Sequence, residues 1–412
     1  MTHATANSDT RYHRCVGVLA LLVAFAAVAW IYELAHGLGS TGMRNVISWG
    51  VYIFTFAFLV KLSAGGLIVA SSAEVFGIRE LKPLARLGVL TAAACVLVAA
   101  VTILPDLGRP GQLLNLVLHP NWRSPLIWDA CIITSYFLLA VGELALMRPG
   151  PESATRQKRL TILATVGLPA AFALHSITAW IFGLQISRAF WNSALMAPLF
   201  VVSAIACGTA LIAIIAAGLQ RFGEVRFEEA TWRKLVGLMA ISIAVNLFFL
   251  FCEYLTVLWG NVPREVVALK MVLPGGRFAS LFWLEWGLGG IVPFALLVTR
   301  RSRQSVGVRV TAAVLILAGV YAHQIQLTTV GMANPLIQLA PGISLGTYQP
   351  GSPVFQYIGQ YAPTWVEYSI IVGLLALGAL LVTLGCRVFQ VGDFRPQGDG
   401  RGESVMRKAA RA

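Results

Sequence analysis

The stretch RNVISWGVYIFTFAFLVKLSAGG, residues 44–66, combines the features that decide the fold. It begins with polar residues, passes through Trp49 and Tyr52, which suit a water–membrane interface, and continues as an apolar run into the hydrocarbon layer. It also carries Lys61 near its middle, where a lysine is costly in a membrane. The stretch therefore predicts a membrane-spanning helix that does more than anchor the protein.

The composition extends this prediction to the whole chain. Hydrophobic residues make up 57% of the 412 residues and charged residues only 12%, outside the range of soluble globular proteins. Apolar runs of about 20 residues, enough to cross the hydrocarbon layer as a helix, recur from end to end. The sequence predicts an all-α polytopic membrane protein with about ten transmembrane helices. The predicted spans are 16–35, 46–70, 86–104, 126–147, 160–184, 195–218, 235–259, 279–299, 308–328 and 365–386.

The net charge of +13 reflects topology rather than a nucleic-acid-binding patch. With a cytoplasmic N-terminus, seven lysines and arginines fall outside, Lys61 falls within the membrane and the remaining 23 are cytoplasmic. This bias follows the positive-inside rule. It predicts a multi-pass protein of the plasma (bacterial inner) membrane with both termini cytoplasmic, and it excludes nucleic acid as an expected partner.

The two halves of the chain show a weak similarity in the order of their predicted helices. Small-residue helices at 46–70 and 195–218 are each followed by an outgoing helix and then by a helix that opens with Ser and Trp. This internal similarity suggests two four-helix bundles flanked by the first and last helices. The predicted parts are a cytoplasmic N-terminal segment (1–15), the first helix and outer loop (16–45), the first bundle (46–190), the second bundle (191–328), an outer loop (329–364), the last helix (365–386) and a basic cytoplasmic tail (387–412).

Ionisable residues recur inside the predicted helices. Asp129, Tyr136 and Glu143 are spaced by seven residues, a step that drifts only about 20° around a helix, so they share one face. Such a row suits a proton relay, although the two carboxylates are also placed to reach the two membrane interfaces. His175, and Glu253 within the stripe Ser242, Asn246, Glu253 and Thr256, are further candidates, as is Glu285.

Lys61 should have a carboxylate partner, because a lone lysine at mid-membrane costs about 2.5–3.5 kcal/mol. Glu143 and Glu74 are the nearest carboxylates in predicted depth. The small residues that follow, Ser63 to Gly66, predict that a neighbouring helix approaches closely there.

The six cysteines are scattered singly, and neither a CxxC nor a CxxCH motif is present. This pattern argues against an iron–sulfur cluster, a structural zinc or a covalent haem in this protein.

Several segments together resemble the NrfD/polysulfide reductase membrane-subunit family, in particular its ten-helix branch. They are Trp49-Gly50 with the Ser-Ala-Gly-Gly end of the same helix, DLGRP (106–110), Ser124-Pro125, HSITAWIFGLQISRAFW (175–191), APLFVVSA (197–204) and PTWVE (363–367). The DLGRP and HSITAWIF segments in combination are the specific part of the resemblance.

The resemblance implies a quinone-interacting subunit that is not catalytic alone. It implies electron exchange between the quinone pool, with quinone or menaquinone as bound substrate, and an iron–sulfur subunit on the outer face. That partner is itself usually linked to a molybdenum or other redox catalytic subunit. The quinone site implied at the outer end of the first bundle comprises Asn45, Trp49, Asp106, Arg109 and His175. The implied proton path comprises Lys61, Asp129, Tyr136, Glu143, His175, Glu253 and Glu285.

Two other functions remain open from the residues alone. A secondary transporter or ion channel also fits paired bundles with buried charges, although transporters usually have helices broken at mid-membrane and the prolines here lie mostly at helix ends. A b-type haem carrier needs paired axial histidines within the membrane, and only His175 is deep.

Overall fold

The computed structural model describes residues 2–45, 47–148, 153–222, 225–299, 304–333 and 361–391. Within these ranges ten segments are long and apolar enough to cross a membrane, which confirms the predicted number and identifies a multi-pass integral membrane protein. The helices are α1 (Thr2–His36), α2 (Val51–Val75), α3 (Lys82–Asp106), α4 (Leu113–Leu118), α5 (Pro125–Leu146), α6 (Ala154–Gly183), α7 (Met196–Arg221), α8 (Glu229–Gly260), α9 (Pro263–Val272), α10 (Ala279–Phe282), α11 (Val292–Val298), α12 (Val306–Ala333) and α13 (Trp365–Val388).

Two helices differ from the sequence prediction. Helix α1 begins at Thr2 rather than near residue 16, because residues 2–15 contain neither glycine nor proline to end a helix. Between α10 and α11 the backbone forms a π-helix, Trp283–Ile291, which we call the π segment. Of the predicted outer loop, residues 334–360 lie outside the described residues, as do residues 392–412 of the predicted tail.

Consecutive spans run in alternate directions, so their connections divide between two ends of the helical assembly. Connections 37–50, 107–124, 184–195 and 261–278 lie at one end, which we call the long-loop end. The short helices α4 and α9 lie within these connections. The positive-inside rule predicts that the long-loop end is the outer side.

Helix α2 is the centre of the packing. It contacts α3 and α6 of the first half, α7 and α12 of the second half, and α13. Helix α1 packs mainly against α13, which in turn contacts α3. The division into two four-helix bundles stays a prediction, because α2 packs closely on helices of both halves.

Glycine pairs allow α2 to approach its neighbours at backbone distance, as the small residues predicted. A Cβ atom built on Gly65 would lie 2.4 Å from the Cα of Gly208 on α7. One built on Gly66 would lie 2.4 Å from the carbonyl oxygen of Gly88 on α3. Close backbone approach of this kind increases the van der Waals contact between membrane helices.

Glu367, at the start of α13, joins three segments at the long-loop end. It is fully buried, and its Oε2 accepts hydrogen bonds from the backbone N–H groups of Gly42 (2.6 Å) and Thr364 (2.8 Å). Its Oε1 accepts one from the hydroxyl of Tyr361 (2.6 Å), which in turn accepts one from the N–H of Val51 (2.7 Å). Burial raises the pKa of the Tyr361 phenol, so this residue remains a donor.

A Glu367→Ala substitution should therefore lower the free energy of unfolding by about 2–3 kcal/mol, because donor groups of Gly42, Tyr361 and Thr364 lose a buried carboxylate acceptor. Thermal denaturation of the detergent-solubilised protein measures the change. Ser369→Ala is the matched control, since the Ser369 hydroxyl bonds only to the carbonyl of Trp365 on its own helix. Equal melting temperatures for the two variants would contradict the role of Glu367.

The connection 184–195 is joined to the end of α12 by two side chains. The guanidinium of Arg188 donates to the carbonyls of Gly331 (3.3 Å) and Met332 (3.2 Å), and its partial burial lowers its pKa. The indole of Trp191 donates to the carbonyl of Leu327 at 2.6 Å. These contacts hold the connection between the two halves against α12 at the long-loop end.

Candidate functional site

The three polar residues of α5 all face the interior of the protein. Asp129 is 4% exposed, and Tyr136 and Glu143 are fully buried. Asp129 Oδ1 accepts a hydrogen bond of 2.6 Å from the hydroxyl of Thr178 on α6. The hydroxyl of Tyr136 donates to the carbonyl of Ser63 on α2 at 3.0 Å. The seven-residue spacing thus places all three on the inward side of α5.

Glu143 is the last acid of this row in sequence, and its carboxyl group has no fixed partner. Neither of its carboxyl oxygens has a hydrogen-bond partner among the described residues. The space for it is provided by Gly167 on α6, where an added Cβ would lie 2.7 Å from Glu143 Oε1. A buried carboxyl group of this kind is able to take up and release a proton, which is what a relay needs.

Lys61 is completely buried, and the predicted ion pair is not formed. Its Nζ lies 3.9 Å from the centroid of the Phe200 ring on α7, and no carboxylate of the described residues lies within 4.0 Å. Glu74 instead pairs with Lys82 at 3.9 Å. The prediction of Glu74 as partner was wrong because 13 residues of helix place it about 20 Å from Lys61. The prediction of Glu143 as partner was wrong because Glu143 faces Gly167 on α6, whereas Lys61 faces α7.

Lys61 instead lies between ionisable groups of the two halves. It interacts electrostatically with His175 on α6 and with Glu285 in the π segment. His175 is 1% exposed, and its Nδ1 donates to the carbonyl of Ala171 at 3.0 Å. Candidate residues of both halves therefore lie within electrostatic range of the lysine.

In the second half, Glu285 belongs to a hydrogen-bonded group that joins the π segment to α12. Its Oε1 lies 2.7 Å from Nδ1 of His323, and its Oε2 accepts from the amide of Gln326 at 2.9 Å. The π segment reaches α12 closely because Gly289 and Gly319 meet: a Cβ on Gly289 would lie 2.3 Å from the Cα of Gly319. A π-helical segment within an α-helix frequently marks a functional site.

Glu253, the other candidate of the second half, lies on α8 and is partly buried. Its Oε2 accepts a hydrogen bond of 2.6 Å from the hydroxyl of Ser193. Within its predicted polar stripe, Ser242 and Asn246 are buried, whereas Thr256 is exposed. The stripe therefore faces the protein interior only over its first part.

The five residues of the expected quinone site lie at or toward the long-loop end but do not form one cluster. Asp106 interacts electrostatically with two acids of α1 and α13, and Asn45 and Arg109 are exposed. Trp49 stacks on Trp191 with ring centroids 5.5 Å apart, and His175 is buried within the bundle. Among the described residues, no hydrogen bond or ion pair joins any two of the five.

Two members of this set, Asp106 and His175, each have a buried polar atom without a hydrogen-bond partner among the described residues. Asp106 forms no ion pair with Arg109, three residues further along the chain. Its Oδ1 is buried and has no hydrogen-bond partner among the described residues. A buried acceptor of this kind normally has a partner, so its free oxygen indicates a place for an external donor.

Sequence reasoning did not find the acidic cluster around Asp106. It consists of Asp106, Glu33 of α1 and Glu367 of α13, and Glu33 is 2% exposed with its Oε2 accepting from the hydroxyl of Tyr52. His323 and Gln326, at the end of the ninth span, were also not selected. In both cases the partners lie on helices far apart in the sequence, and no spacing in the sequence indicates their contact.

No group of three or more His, Cys, Asp or Glu side chains is placed to hold a metal ion in the part of the chain that the structure describes.

Comparison with known proteins places this architecture in one family. The model of the family described as polysulphide reductase, NrfD, matches residues 39–334. A protein of Halobacterium salinarum, named as a candidate dimethyl sulfoxide reductase membrane subunit, is 37% identical over 90% of each sequence. The Hdr-like menaquinol oxidoreductase integral membrane subunit of Archaeoglobus fulgidus is 28% identical over 90% of this chain and 92% of its own length. The menaquinone reductase integral membrane subunit of Nitratidesulfovibrio vulgaris is 20% identical over 87% of this chain and 86% of its own.

These relatives are named as membrane subunits of reductases and of a menaquinol oxidoreductase, and similarity to them extends over most of the chain. The family model covers more than half of the 412 residues. The chain therefore belongs to the polysulphide reductase, NrfD family.

Proposed function

We propose that this protein is the integral membrane anchor subunit of a multisubunit oxidoreductase and exchanges electrons between the quinone/quinol pool and an iron–sulfur partner subunit. The observation that carries the proposal is family membership, together with a relative named as a menaquinol oxidoreductase membrane subunit. The partner docks on the outer face, at the long-loop end, and connects to a molybdenum or other redox catalytic subunit. Both termini are cytoplasmic, and the membrane is the plasma (bacterial inner) membrane.

The quinone headgroup binds at the long-loop end of the first half, near Asp106. A quinone that is reduced or oxidised exchanges two protons with its two electrons, so its headgroup needs hydrogen-bonding groups and a protonation path. The unpartnered Oδ1 of Asp106 supports this placement, since it is able to accept a hydrogen bond from a quinol hydroxyl. Asn45, Trp49, Arg109 and His175 complete the proposed quinone-binding set.

Protons move through the buried ionisable residues. In the first half the path runs along Asp129, Tyr136 and Glu143, and His175 and Lys61 connect it to Glu285 and Glu253 in the second half. The inward orientation of the α5 residues and the central position of Lys61 support such a path. Water between these groups is needed to complete it.

The Asp106→Asn variant tests the quinone site. We expect the KM for a quinol analogue to rise about fivefold, because an amide is a weaker acceptor than a carboxylate and one hydrogen bond contributes about 1 kcal/mol. The measurement is quinol-driven reduction of the iron–sulfur clusters in the native complex, followed by their absorbance. Gln112→Ala, an exposed residue of the same connection, is the control.

Two outcomes would contradict the proposal. An unchanged KM in the assembled Asp106→Asn complex would move the quinone site elsewhere. Isolation of the protein from its native membrane as a lone, redox-silent molecule that takes up a solute in proteoliposomes would favour the transporter function instead.

A further inference from the structure

The second half contains a cleft at the long-loop end that the proposed quinone site does not use. The space within the cleft is about 60 Å³. It lies between α8, the start of α7 and the end of α12, with α9 beside it. Its walls are largely apolar, and Glu253 and His323 are two of its polar groups on different helices.

His323 is held so that one ring nitrogen is left for another molecule. Its Nδ1 faces Oε1 of Glu285 at 2.7 Å, and the amide of Gln326 donates to the other oxygen of the same carboxyl group. A carboxylate that receives both contacts fixes the tautomer in which Nδ1 carries the proton, so Nε2 is an acceptor. Nε2 is buried and has no hydrogen-bond partner among the described residues.

Glu253, on α8, supplies a second acceptor to the cleft. Its Oε2 is occupied by the hydroxyl of Ser193, while the carboxyl group also lines the cleft. Tyr254, which also lines the cleft, belongs to an aromatic group with Phe282 and Trp286, and their ring centroids are 5.5–6.3 Å apart. The cleft thus combines two separated acceptors with apolar and aromatic walls.

The charges select the class of ligand. No lysine or arginine is among the described residues that line the cleft, and acidic groups do line it, so an anionic lipid headgroup or a phosphate would be repelled. Two acceptors suit a neutral ring with two hydroxyl donors and an apolar tail. A hydroquinone has this chemistry, whereas the oxidised quinone has only acceptors and would leave these groups unpaired.

We propose that this cleft is a second quinol site, in which the two hydroxyl groups of a hydroquinone donate to Nε2 of His323 and to the carboxylate of Glu253. The inference rests on the proposed function, which makes a quinol the substrate of this protein. His323 also accepts the first proton: the quinol O–H bond breaks, the Nε2–H bond forms, and both electrons of the broken bond remain on the hydroquinone anion. The Glu285 carboxylate stabilises the imidazolium that results.

A smaller cavity, lined by both Glu285 and His323, offers the proton a route away from the cleft. It is lined by Ser203, Asn246, Glu285 and His323, a polar set able to bind a water molecule. Ser203 lies one helical turn from Phe200, the residue that contacts Lys61. His323 lines both the cleft and this cavity, so it lies between the ligand and the interior acids.

Photolabelling of the native complex with an isoprenoid azido-quinone tests the second site. The probe is used both oxidised and reduced with dithionite, and labelled peptides are mapped by mass spectrometry. We expect label in residues 189–199 and 250–269, suppressed by excess menaquinol and about fivefold stronger with the reduced probe. His323→Phe should lower this labelling about fivefold and abolish the preference for the reduced probe, and the milder Glu253→Gln should lower it about threefold.

His36→Phe is the matched control, because His36 is exposed and its Nδ1 bonds only to the carbonyl of Tyr32 on the same helix. Label confined to peptides that contain Trp49 or Asp106 would overturn the second site and leave the proposed function intact. Label confined to the cleft would support the second site and overturn the first. Absence of specific label anywhere would overturn both, and cleft labelling unaffected by either substitution would overturn the roles of His323 and Glu253.

Discussion

Replacement of Gly208 by leucine is expected to reduce the amount of folded protein in the membrane to less than about a tenth of the wild-type level. A Cβ at this position would lie 2.2 Å from the Cα of Gly65 and 2.8 Å from its backbone nitrogen and carbonyl carbon. These are backbone atoms, so α2 and α7 must move apart to relieve the overlap. Since α2 is the centre of the packing, the displacement would extend to α3, α6 and α12.

Gly218→Leu is the matched control, because it lies on the same helix, ten residues further along, and has no atom within 4 Å of an added Cβ. Size-exclusion chromatography of fluorescently tagged protein from solubilised membranes gives both the amount and the dispersity. Gly208→Ala should give an intermediate loss. If Gly208→Leu and Gly218→Leu accumulate equally, the two backbones are not in contact in the folded protein.

Replacement of Lys61 by methionine is expected to stabilise the protein while lowering quinol-driven turnover more than tenfold. A lysine at mid-membrane costs about 2.5–3.5 kcal/mol. Its contact with Phe200, 3.9 Å from Nζ to the ring centroid, returns at most about 2 kcal/mol. Methionine fills a similar volume without the charge, so the free energy of unfolding should rise by about 1 kcal/mol.

The loss of turnover follows from the position of Lys61 between His175 and Glu285. If protons pass between the two halves through this residue, a thioether cannot replace it. Unfolding by sodium dodecyl sulfate titration measures stability. Quinol-driven reduction of the iron–sulfur clusters in the native complex measures turnover. Leu62→Met is the control, since Leu62 is 6% exposed and adjacent on α2.

Opposite changes in stability and turnover would distinguish a functional lysine from a structural one. A structural role predicts that Lys61→Met loses both together, because the packing against α7 is disturbed. A variant with increased stability and unchanged turnover would remove Lys61 from the proton path.

Local properties of the sequence were predictable. The ten spans follow from apolar runs, because the hydrocarbon layer forces each crossing segment to satisfy its backbone hydrogen bonds within its own helix. The inward face of Asp129, Tyr136 and Glu143 follows from their seven-residue spacing. The small residues around Gly65 predicted that a neighbouring helix approaches closely there. They did not predict that the contact would be with Gly208.

The start of the first helix and the interior of the eighth span were less predictable. Helix α1 extends to Thr2 although its first residues are polar, because helix formation does not require an apolar environment. The π segment around Glu285 depends on the contact of Gly289 with Gly319, and a glycine alone does not reveal the helix it will meet.

The sequence by itself determined that ten segments within the described ranges are long and apolar enough to cross a membrane, and which ionisable residues these segments carry, including the lysine of residues 44–66. Only the tertiary structure decided what those residues contact. Lys61 faces Phe200 instead of a carboxylate, and Glu285 meets His323, 38 residues further along. The reason is physical: apolar length and helical period act within a segment, whereas hydrogen bonds and close packing between helices depend on how distant segments are placed side by side.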